Sequence, residues 1–452
     1  MSPLSRRSFS LAAAGALAAP LAAQIPGHRP VRSPGVDVLN PGTRVPVSLI
    51  IDDSTCLVNM AHFGIPHFAE IFPDRYKQDW RSLPREIPDS FVRKFGEWSR
   101  DHGVKGKYSI VPYPACTGWV DRDIPGWSKR ELDDSLRLVR DLLLPDWDIH
   151  PEMVSHTWVI DIKTGRPYPD RTEHFVEIFR WTDGKSADQL AAYLAYALRI
   201  LKNAGLPCEG ITTPGGFASR VLPELAQATL ESCRDVFRAE IPHYFRHAFS
   251  DHRSVAPRVE YASGLDTSDP RCVVSIIACT SDWFGGWDGL VPCQLDKMIT
   301  ADSRGGRLPE VIRRGEPAIL YCHWPGIYCN GSETGFHVFQ ETVRRLHAGH
   351  DNLRWMKLSE ISRYWAAKEL TTITHAPNAT AVDFQAPFAC PQFTVRVPVP
   401  PTAVPRFHHN GVSTPLREVA DPLRLSSGTW TRDANSAIAT FDLPRGPSRL
   451  EW

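Results

Sequence analysis

VPVSLIIDD, at residues 45–53, is the stretch that decides how the rest of the chain is expected to fold. Five of its first seven residues are Val, Leu or Ile, which predicts a strand buried on both faces. The strand ends in two adjacent carboxylates, Asp52 and Asp53. Acidic residues at the C-terminal end of a fully apolar strand are typical of the catalytic face of a parallel α/β barrel. The alternative is that Asp52 and Asp53 only end the strand and begin a turn.

After this stretch, predicted apolar strands alternate with predicted helices as far as residue 370. A long predicted loop at 54–88 interrupts the alternation. The remaining predicted strands are 107–111, 208–213, 272–278, 318–322 and 353–358, and the segment 148–161 adds a further strand that ends at His156. The predicted helices are 89–101, 128–143, 186–203, 222–232, 290–301, 334–347 and 359–368. This alternation predicts an α/β fold with a distorted parallel (β/α) barrel of seven or eight strands.

The chain divides into four predicted segments. Residues 1–23 contain paired arginines, Arg6 and Arg7, then a short apolar run and small residues, which predicts a twin-arginine export signal and a periplasmic or extracellular protein. Residues 24–44 are a Pro/Gly-rich lead-in, and residues 45–370 are the predicted barrel. Residues 371–452 lack helical periodicity and are rich in Pro, Thr, Val and Phe, which predicts a small all-β domain resembling a β-sandwich.

Composition excludes two classes of partner. Lys plus Arg equals Asp plus Glu at 51 each, without a basic run, so we expect no nucleic-acid partner. After the signal, no stretch of about 18 consecutive apolar residues could span a membrane. The aromatic content is 10%, and aromatic rings in loops suit the stacking of sugars, although they are also ordinary core residues. None of the ten cysteines forms a CxxC pair, and Cys322 with Cys329 could close a small disulfide loop.

Chemically active residue types recur where predicted strands end. Asp52 and Asp53, His156, Asp282 and His323 occupy such positions, and a further strand ends in Pro214-Gly215-Gly216. Because the C-terminal ends of parallel strands meet at one face of a barrel, these residues are predicted to form a single site.

These motifs resemble those of the polysaccharide deacetylase superfamily of carbohydrate esterases. The matching residues are Ile50-Ile51-Asp52-Asp53, then 152–158 (EMVSHTW), then 212–216 (TTPGG), then Asp282-Trp283, and finally 319–323 (ILYCH). The resemblance covers residues 45–368 and implies Asp52 as general base, Asp53 and His156 as metal ligands, and His323 as general acid. Two positions depart from the family pattern, because Ile160 stands where a second metal-binding His belongs and Thr212 stands where an Arg belongs.

The third metal ligand has to be chosen among nearby residues. In an extended strand His150 would lie about 20 Å from His156, too far to share an ion. Asp161, in the loop beyond, is therefore the preferred third ligand, with His62 or His67 as a substitute. The alternative is that Asp161 only caps a turn. A mixed set of His and carboxylate ligands suits Zn²⁺ first, with Co²⁺ or Fe²⁺ also possible.

The leading functional hypothesis is metal-dependent hydrolysis of N- or O-linked acetyl groups on a glycan, with Asp52, Asp282 and His323 as catalytic residues. Backbone N–H groups near Tyr113 are expected to stabilise the oxyanion. The residues expected to contact the carbohydrate are Tyr113, Trp119, Trp158, Pro214, Gly215, Trp283 and Trp324. Two alternatives stay open: a glycoside hydrolase that pairs Asp52 with Glu152, Asp161 or Asp282, and a glycan-binding barrel without activity.

Overall fold

The computed structural model describes residue 30 and residues 32–375, 380–400 and 402–452. The predicted export signal lies outside these residues. The strands of the first half are β1 (Asp37–Val38), β2 (Val45–Asp52), β3 (Gly106–Ser109), β4 (Trp147–His150), β5 (Ile160–Asp161), β6 (Arg166–Pro167), β7 (Gly210–Thr212), β8 (His243–Ala248), β9 (Arg258–Ser263) and β10 (Arg271–Ala278). Those of the second half are β11 (Ala318–His323), β12 (Leu353–Trp355), β13 (Thr372–Thr374), β14 (Ala381–Ala386), β15 (Cys390–Pro398), β16 (Arg406–His409), β17 (Val412–Pro415), β18 (Arg417–Glu418), β19 (Thr429–Asp433), β20 (Ser436–Leu443) and β21 (Gly446–Glu451).

The α-helices of the described residues lie mostly between these strands. They are α1 (Met60–Ile71), α2 (Asp89–Asp101), α3 (Lys129–Leu138), α4 (Ala187–Asn203), α5 (Leu222–Phe237), α6 (Leu295–Met298), α7 (Arg307–Arg313), α8 (Trp324–Tyr328), α9 (Thr334–Gly349) and α10 (Leu358–Leu370). In the parts of the chain that the structure describes, we find no helix with the length and apolar character needed to cross a bilayer.

Strand β2 lies in the middle of a parallel sheet, and all eight of its residues are buried, as its apolar sequence predicts. The sheet has the order β11-β2-β3-β4, and β12 also pairs with β2. The register of β11 against β2 sets His323 opposite Asp52. Two of the predicted site residues are therefore neighbours at the same edge of one sheet.

A second sheet has the order β7-β8-β10-β9, in which β9 alone runs antiparallel to its neighbour. The two sheets are connected at a parallel bridge between Glu152 and Thr212. They are also connected by a 2.7 Å hydrogen bond from the N–H of Cys279, directly after β10, to the Ile319 carbonyl of β11. The predicted mixed α/β fold with parallel strands is confirmed. The predicted closed barrel is not detected as one continuous sheet among the described residues, because its strands belong to two sheets.

Helices with strong local signals form where the sequence predicts them. Both α3 and α4 begin with capping boxes, Ser128 with Glu131 and Ser186 with Gln189, which satisfy backbone donors of the first turn. Two predictions were wrong. The loop at 54–88 contains α1, whose Gly64 and Pro66 weaken the helical pattern. The helix predicted at 290–301 shrinks to α6, because Pro292 interrupts the segment.

The C-terminal region is rich in strands, as predicted. Two sheets, each of five strands among the described residues, have the orders β1-β15-β20-β19-β18 and β13-β14-β21-β16-β17. Helix α10 joins this region to the rest of the chain through Tyr364, whose hydroxyl donates to the Leu39 carbonyl at 2.7 Å and accepts the Thr394 N–H at 3.2 Å. Strand β1, from the lead-in, adds to the first of these sheets and pairs with β15.

Candidate active site

Three buried side chains meet where β2 and β4 end: Asp53, Glu152 and His156. One ligand atom from each lies within 4.8 Å of the others. His156 Nε2 is 3.1 Å from Asp53 Oδ1, and His156 Nδ1 is 3.7 Å from Glu152 Oε1. The backbone N–H of Asp53 donates to Glu152 Oε2 at 2.7 Å. The structure therefore brings together the two ligands predicted from the sequence, Asp53 and His156, and adds Glu152.

Three residues at this cluster have a backbone conformation that residues other than glycine rarely adopt. Asp53 has φ 57°, Met153 has φ 54° and His156 has φ 67°, all in the left-handed region that costs non-glycine residues free energy. Strand β4 ends at His150, so the following residues form a tight turn that brings Glu152 and His156 to the same side. Strain of this kind persists only where surrounding contacts fix it.

The contacts that fix this turn come from Glu177, a residue that the sequence did not indicate. Its buried carboxylate accepts the backbone N–H groups of Val154 at 3.1 Å, of Ser155 at 3.0 Å and of His156. The Tyr193 hydroxyl donates to the same carboxylate. Burial raises the pKa of Glu177 to about 7, against the opposing effect of these hydrogen bonds. Successive N–H groups that surround a carboxylate form an anion-binding nest.

The electrostatics of the cluster favour a cation. Burial, helped by the Asp52 carboxylate, raises the pKa of Asp53 to about 6 and that of Glu152 to about 8. Burial also lowers the pKa of His156. Asp53 Oδ1 and His156 Nδ1 are buried without a hydrogen-bond partner. The contact of Asp53 Oδ1 with His156 Nε2 lacks hydrogen-bond geometry, and Glu152 Oε1 lies 3.7 Å from His156 Nδ1, which is too far. Two carboxylates and one imidazole with free lone pairs fit a divalent transition metal, Zn²⁺, Co²⁺ or Fe²⁺.

Asp161, the preferred third ligand from the sequence, does not lie in this cluster. Its carboxylate accepts the Lys163 N–H at 3.0 Å and the Thr164 hydroxyl at 3.1 Å, so it caps a turn, which was the alternative reading of this residue. The two substitute ligands are also engaged elsewhere. His62 Nδ1 lies 2.9 Å from the Leu83 carbonyl, and His67 Nδ1 lies 3.1 Å from Thr157 Oγ1.

Asp52 lies beside the cluster and forms a buried ion pair with Lys107 of β3. Lys107 is fully buried, and its Nζ also donates to the Ile51 carbonyl at 3.0 Å and to Ser109 Oγ at 2.7 Å. One of two adjacent carboxylates needs a proton or a cation, and Lys107 supplies the cation for Asp52. Lys107 therefore gives the predicted base Asp52 a positive neighbour from β3. The Arg that the resemblance leads one to expect would stand at the position of Thr212, on a different strand.

His323 forms a dyad with Asp282 at the end of β11. Its Nδ1 lies 2.7 Å from Asp282 Oδ2, and its Nε2 lies 2.9 Å from the Tyr321 hydroxyl. Burial opposes the charge of the imidazole. The Asp53 carboxylate and the hydrogen bond to Asp282 outweigh it and raise the pKa of His323 to about 10. The protonated ring therefore lies beside the acidic cluster as a proton donor.

Two of the tryptophans predicted to contact the carbohydrate, Trp158 and Trp324, are buried. Trp324 is fully buried and packs against Phe91 and Phe95 at ring distances of 5.0 and 5.2 Å, so it is a core residue and that prediction was wrong. Trp158 is 3% exposed, with the Arg171 guanidinium 4.5 Å from its ring centre.

The other predicted contacts, with the exception of Pro214, keep some access to solvent. Tyr113 stacks on Trp119 at 3.9 Å, and both rings are half-buried, as is Trp283. Pro214 is buried, whereas Gly215 is exposed in the left-handed region at φ 47°.

The predicted oxyanion donors near Tyr113 are not free. The Tyr113 N–H bonds to the Val154 carbonyl at 2.8 Å, and the Ala115 N–H bonds to the Ser155 carbonyl at 3.0 Å. Pro114 between them has no N–H. These bonds tie the loop after β3 to the turn that positions His156, so the segment supports the site instead of offering donors to a substrate.

Comparison with known proteins gives little further guidance. No protein-family model and no curated protein sequence matches the chain. A solved structure from Mycobacterium smegmatis, described as a presumed polysaccharide deacetylase, is 13% identical over 78% of this chain and 99% of its own, with a TM-score of 0.41. The catalytic domain of GH30 xylanase C from Talaromyces cellulolyticus is 9% identical over 92% of this chain and 98% of its own, with a TM-score of 0.27. At such TM-scores neither likeness assigns a fold or a function.

Proposed function

We propose that the chain is a metal-dependent hydrolase that removes acetyl groups from a glycan. The observation that carries this proposal is the cluster of Asp53, Glu152 and His156. The charges of the Lys107–Asp52 ion pair and of the Asp282–His323 dyad both act on Asp53 of this cluster. One place thus combines a metal-ligand set, a charged base and a proton donor, which are the parts that hydrolysis of an ester or amide requires.

Each residue has a separate role in the proposed reaction. Asp53, Glu152 and His156 would hold a divalent cation, which when bound polarises the acetyl carbonyl and the attacking water. Asp52 accepts the proton of that water, and the ion pair with Lys107 holds the carboxylate in place. His323 donates a proton to the departing amine or alcohol, and Asp282 orients its ring through Nδ1. The half-buried rings of Tyr113, Trp119 and Trp283 are candidates for stacking against sugar rings.

The test is release of acetate from acetylated chitooligosaccharides and acetylated xylan by the purified chain loaded with Zn²⁺. We expect release that stops with a chelator, resumes with added Zn²⁺ and falls by at least 10²-fold in Asp52→Asn and in His323→Gln. Binding of the glycan with no acetate release by the wild type would refute hydrolysis and favour the glycan-binding alternative.

One observation favours the glycoside hydrolase alternative. Burial raises the pKa of Glu152 to about 8, so without a metal this carboxyl is a proton donor. Asp52, which is paired with Lys107, is the second carboxyl that glycoside hydrolysis needs. Asp161 is excluded from this role by the turn that it caps. New reducing ends that persist in the presence of a chelator would support this alternative over deacetylation.

We further propose that the two parallel sheets are two arcs of one distorted barrel. The bridge between Glu152 and Thr212 and the hydrogen bond from Cys279 to Ile319 support it, since the first connects the end of β4 to β7 and the second connects the end of β10 to β11. Such an arrangement would bring the C-terminal ends of β2, β4, β10 and β11 to one face. An experimental structure with the strand order β2-β3-β4-β7-β8-β10-β11 in a closed ring is the expected result.

We also propose that residues 1–23 direct the folded chain to the twin-arginine export route. The support is the Arg6-Arg7 pair followed by a short apolar run. Replacing both arginines by lysine should leave the chain in the cytoplasm of a bacterium that has this route, as measured by cell fractionation and immunoblotting. Equal export of the wild type and the double variant would contradict the proposal.

A further inference from the structure

Two half-buried thiols, Cys293 and Cys329, lie in contact on segments that follow the two halves of the dyad. Cys293 is in the loop after Asp282, and Cys329 follows α8, which begins directly after His323. Cys329 Sγ donates to the Gly326 carbonyl at 2.9 Å. The two thiols also share an acceptor, because Cys293 Sγ donates to the Phe284 carbonyl and Cys329 Sγ lies 3.9 Å from the same oxygen.

The segments that bear these thiols are packed backbone to backbone. A Cβ added at Gly285 would lie 2.4 Å from the Gly326 carbonyl oxygen and 2.8 Å from Cys329 Sγ. A Cβ added at Gly326 would in turn lie 2.4 Å from the Gly286 carbonyl oxygen. Only glycine fits at these positions, so the two segments approach closely without any covalent bond between them.

Most other cysteines are unsuited to oxidation. Seven of the ten are buried, and burial raises the pKa of thiols such as Cys56 and Cys279 to about 12. The remaining half-buried thiol, Cys116, has Thr157 Oγ1 as its neighbour at 3.9 Å. By contrast, the interaction with the Cys293 thiol lowers the pKa of Cys329, which favours the thiolate, the nucleophilic form of a cysteine.

We propose that Cys293 and Cys329 form a disulfide when the folded chain meets a disulfide oxidant, and that this bond cross-links the loop after Asp282 to the segment after His323. The pairing of Cys322 with Cys329 expected from the sequence is not the one that the structure favours. Cys322 is fully buried in β11, with its Sγ directed at the Ile50 carbonyl at 3.5 Å.

The reaction balances with oxidised glutathione as the oxidant. The Cys329 thiolate attacks one sulfur of glutathione disulfide, forms a mixed disulfide and releases one glutathione thiolate. Cys293 then loses its proton and attacks the Cys329 sulfur, which releases the second glutathione. The protein loses two electrons and two protons, and both are recovered in two molecules of reduced glutathione.

The test is non-reducing peptide mapping by mass spectrometry of the full chain after incubation with oxidised glutathione. We expect one peptide pair that joins Cys293 to Cys329, lighter by two hydrogen atoms than the reduced peptides together. The melting temperature should rise by about 5 °C on oxidation. This rise should vanish in Cys293→Ser and persist in Cys116→Ser, which removes the other half-buried thiol.

Three outcomes would overturn the proposal. They are a cross-link from Cys329 to Cys322, a stable mixed disulfide on Cys329 without the internal bond, and free thiols at both positions after oxidation. The mapping uses the wild-type chain, so it gives an answer even if a serine variant folds poorly. It is also independent of whether the chain removes acetyl groups.

Discussion

The carboxylate of Glu177 accepts the backbone N–H of His156, a residue 21 positions earlier in the chain. The same carboxylate accepts the N–H groups of Val154 and Ser155. His156 is thereby held at φ 67°, with its ring directed at Asp53. Glu177 thus does not belong to the candidate ligand set, yet it determines where one member of that set lies.

Replacing Glu177 by Gln is therefore expected to weaken metal binding. One carboxylate oxygen becomes an NH₂ group that faces backbone donors, so the turn that carries Glu152 and His156 loses its support. We expect the dissociation constant for Zn²⁺, measured by isothermal titration calorimetry, to rise by about 10–100-fold. Glu173→Gln, the same change at an exposed position four residues earlier, is the matched control. Equal affinities in both variants would contradict the role of Glu177.

The buried pair of Lys107 and Asp52 is expected to show strong coupling in stability. Lys107→Met leaves the Asp52 carboxylate buried without its cation, and such a loss costs about 3–5 kcal/mol. The double variant Lys107→Met with Asp52→Asn should recover part of that loss, because neither charge of the pair remains. Urea unfolding of the four proteins in the cycle measures the coupling, with Lys105→Met as a partly exposed control. Additive effects of the two substitutions would show that the pair is not coupled.

Asp282 is expected to control the protonation of His323. Since the hydrogen bond and the charge of Asp282 both raise the pKa of His323, Asp282→Asn should lower it, by about 1–3 units. His323 must be protonated to act as an acid, so activity falls as pH rises through this pKa, and the fall should move to lower pH in the variant. Nitrogen NMR of the imidazole gives the same pKa without relying on activity. An unchanged titration would contradict the dyad.

The pair of His150 and His243 makes a separate prediction about pH. Their Nε2 atoms lie 3.0 Å apart, and both rings are fully buried. Burial lowers the pKa of His243 to about 4, so the folded chain keeps this ring neutral while the unfolded chain binds a proton below about pH 6.5. The free energy of unfolding should therefore fall as pH drops from about 6.5 to 4, by up to about 1.4 kcal/mol per pH unit for one proton.

His243→Gln tests this contribution, because glutamine can hydrogen bond without titrating. The raised pKa values of Asp53, Glu152 and Glu177 act in the opposite direction in both proteins. The difference between wild type and variant therefore reports His243 together with its effect on His150, whose pKa is lowered by burial and by His243. Guanidinium unfolding from pH 4 to pH 8 should show a shallower loss of stability at low pH in the variant. Parallel curves would be the contrary result.

Part of the site was predictable because its signals are local. The apolar run of β2 and the two carboxylates that follow it are adjacent in sequence, so the burial of the strand and the position of Asp52 and Asp53 follow from periodicity alone. His156 and His323 were found in the same way, from short motifs at predicted strand ends. The close approach of these four residues, in contrast, depends on the order of strands in the sheet.

The third ligand was missed because of one assumption about backbone conformation. If residues 150–156 were extended, the third ligand would have to come from a residue farther along the chain, which is why Asp161 is predicted. The strand ends at His150, and left-handed residues at Met153 and His156 turn the chain back on itself. A propensity-based prediction does not foresee positive φ at Met or His, since these residues seldom adopt it.

Lys107 and Glu177 could not be assigned from the sequence for a different reason. Each acts through a partner far along the chain, 55 positions away for Lys107 and Asp52 and 21 for Glu177 and His156. One signal was available, since a lysine inside a buried strand has to find an anion. The identity of that anion depends on the pairing of β2 with β3.

The most direct test of the metal centre is elemental analysis of the purified chain and two variants after dialysis against excess Zn²⁺ and then against metal-free buffer. We predict about one Zn²⁺ per chain in the wild type and in Asp161→Asn, and a loss of most of it in Glu152→Gln. Retention of zinc by Glu152→Gln with its loss from Asp161→Asn, or no bound metal in the wild type, would contradict the assignment of Asp53, Glu152 and His156 as the metal centre.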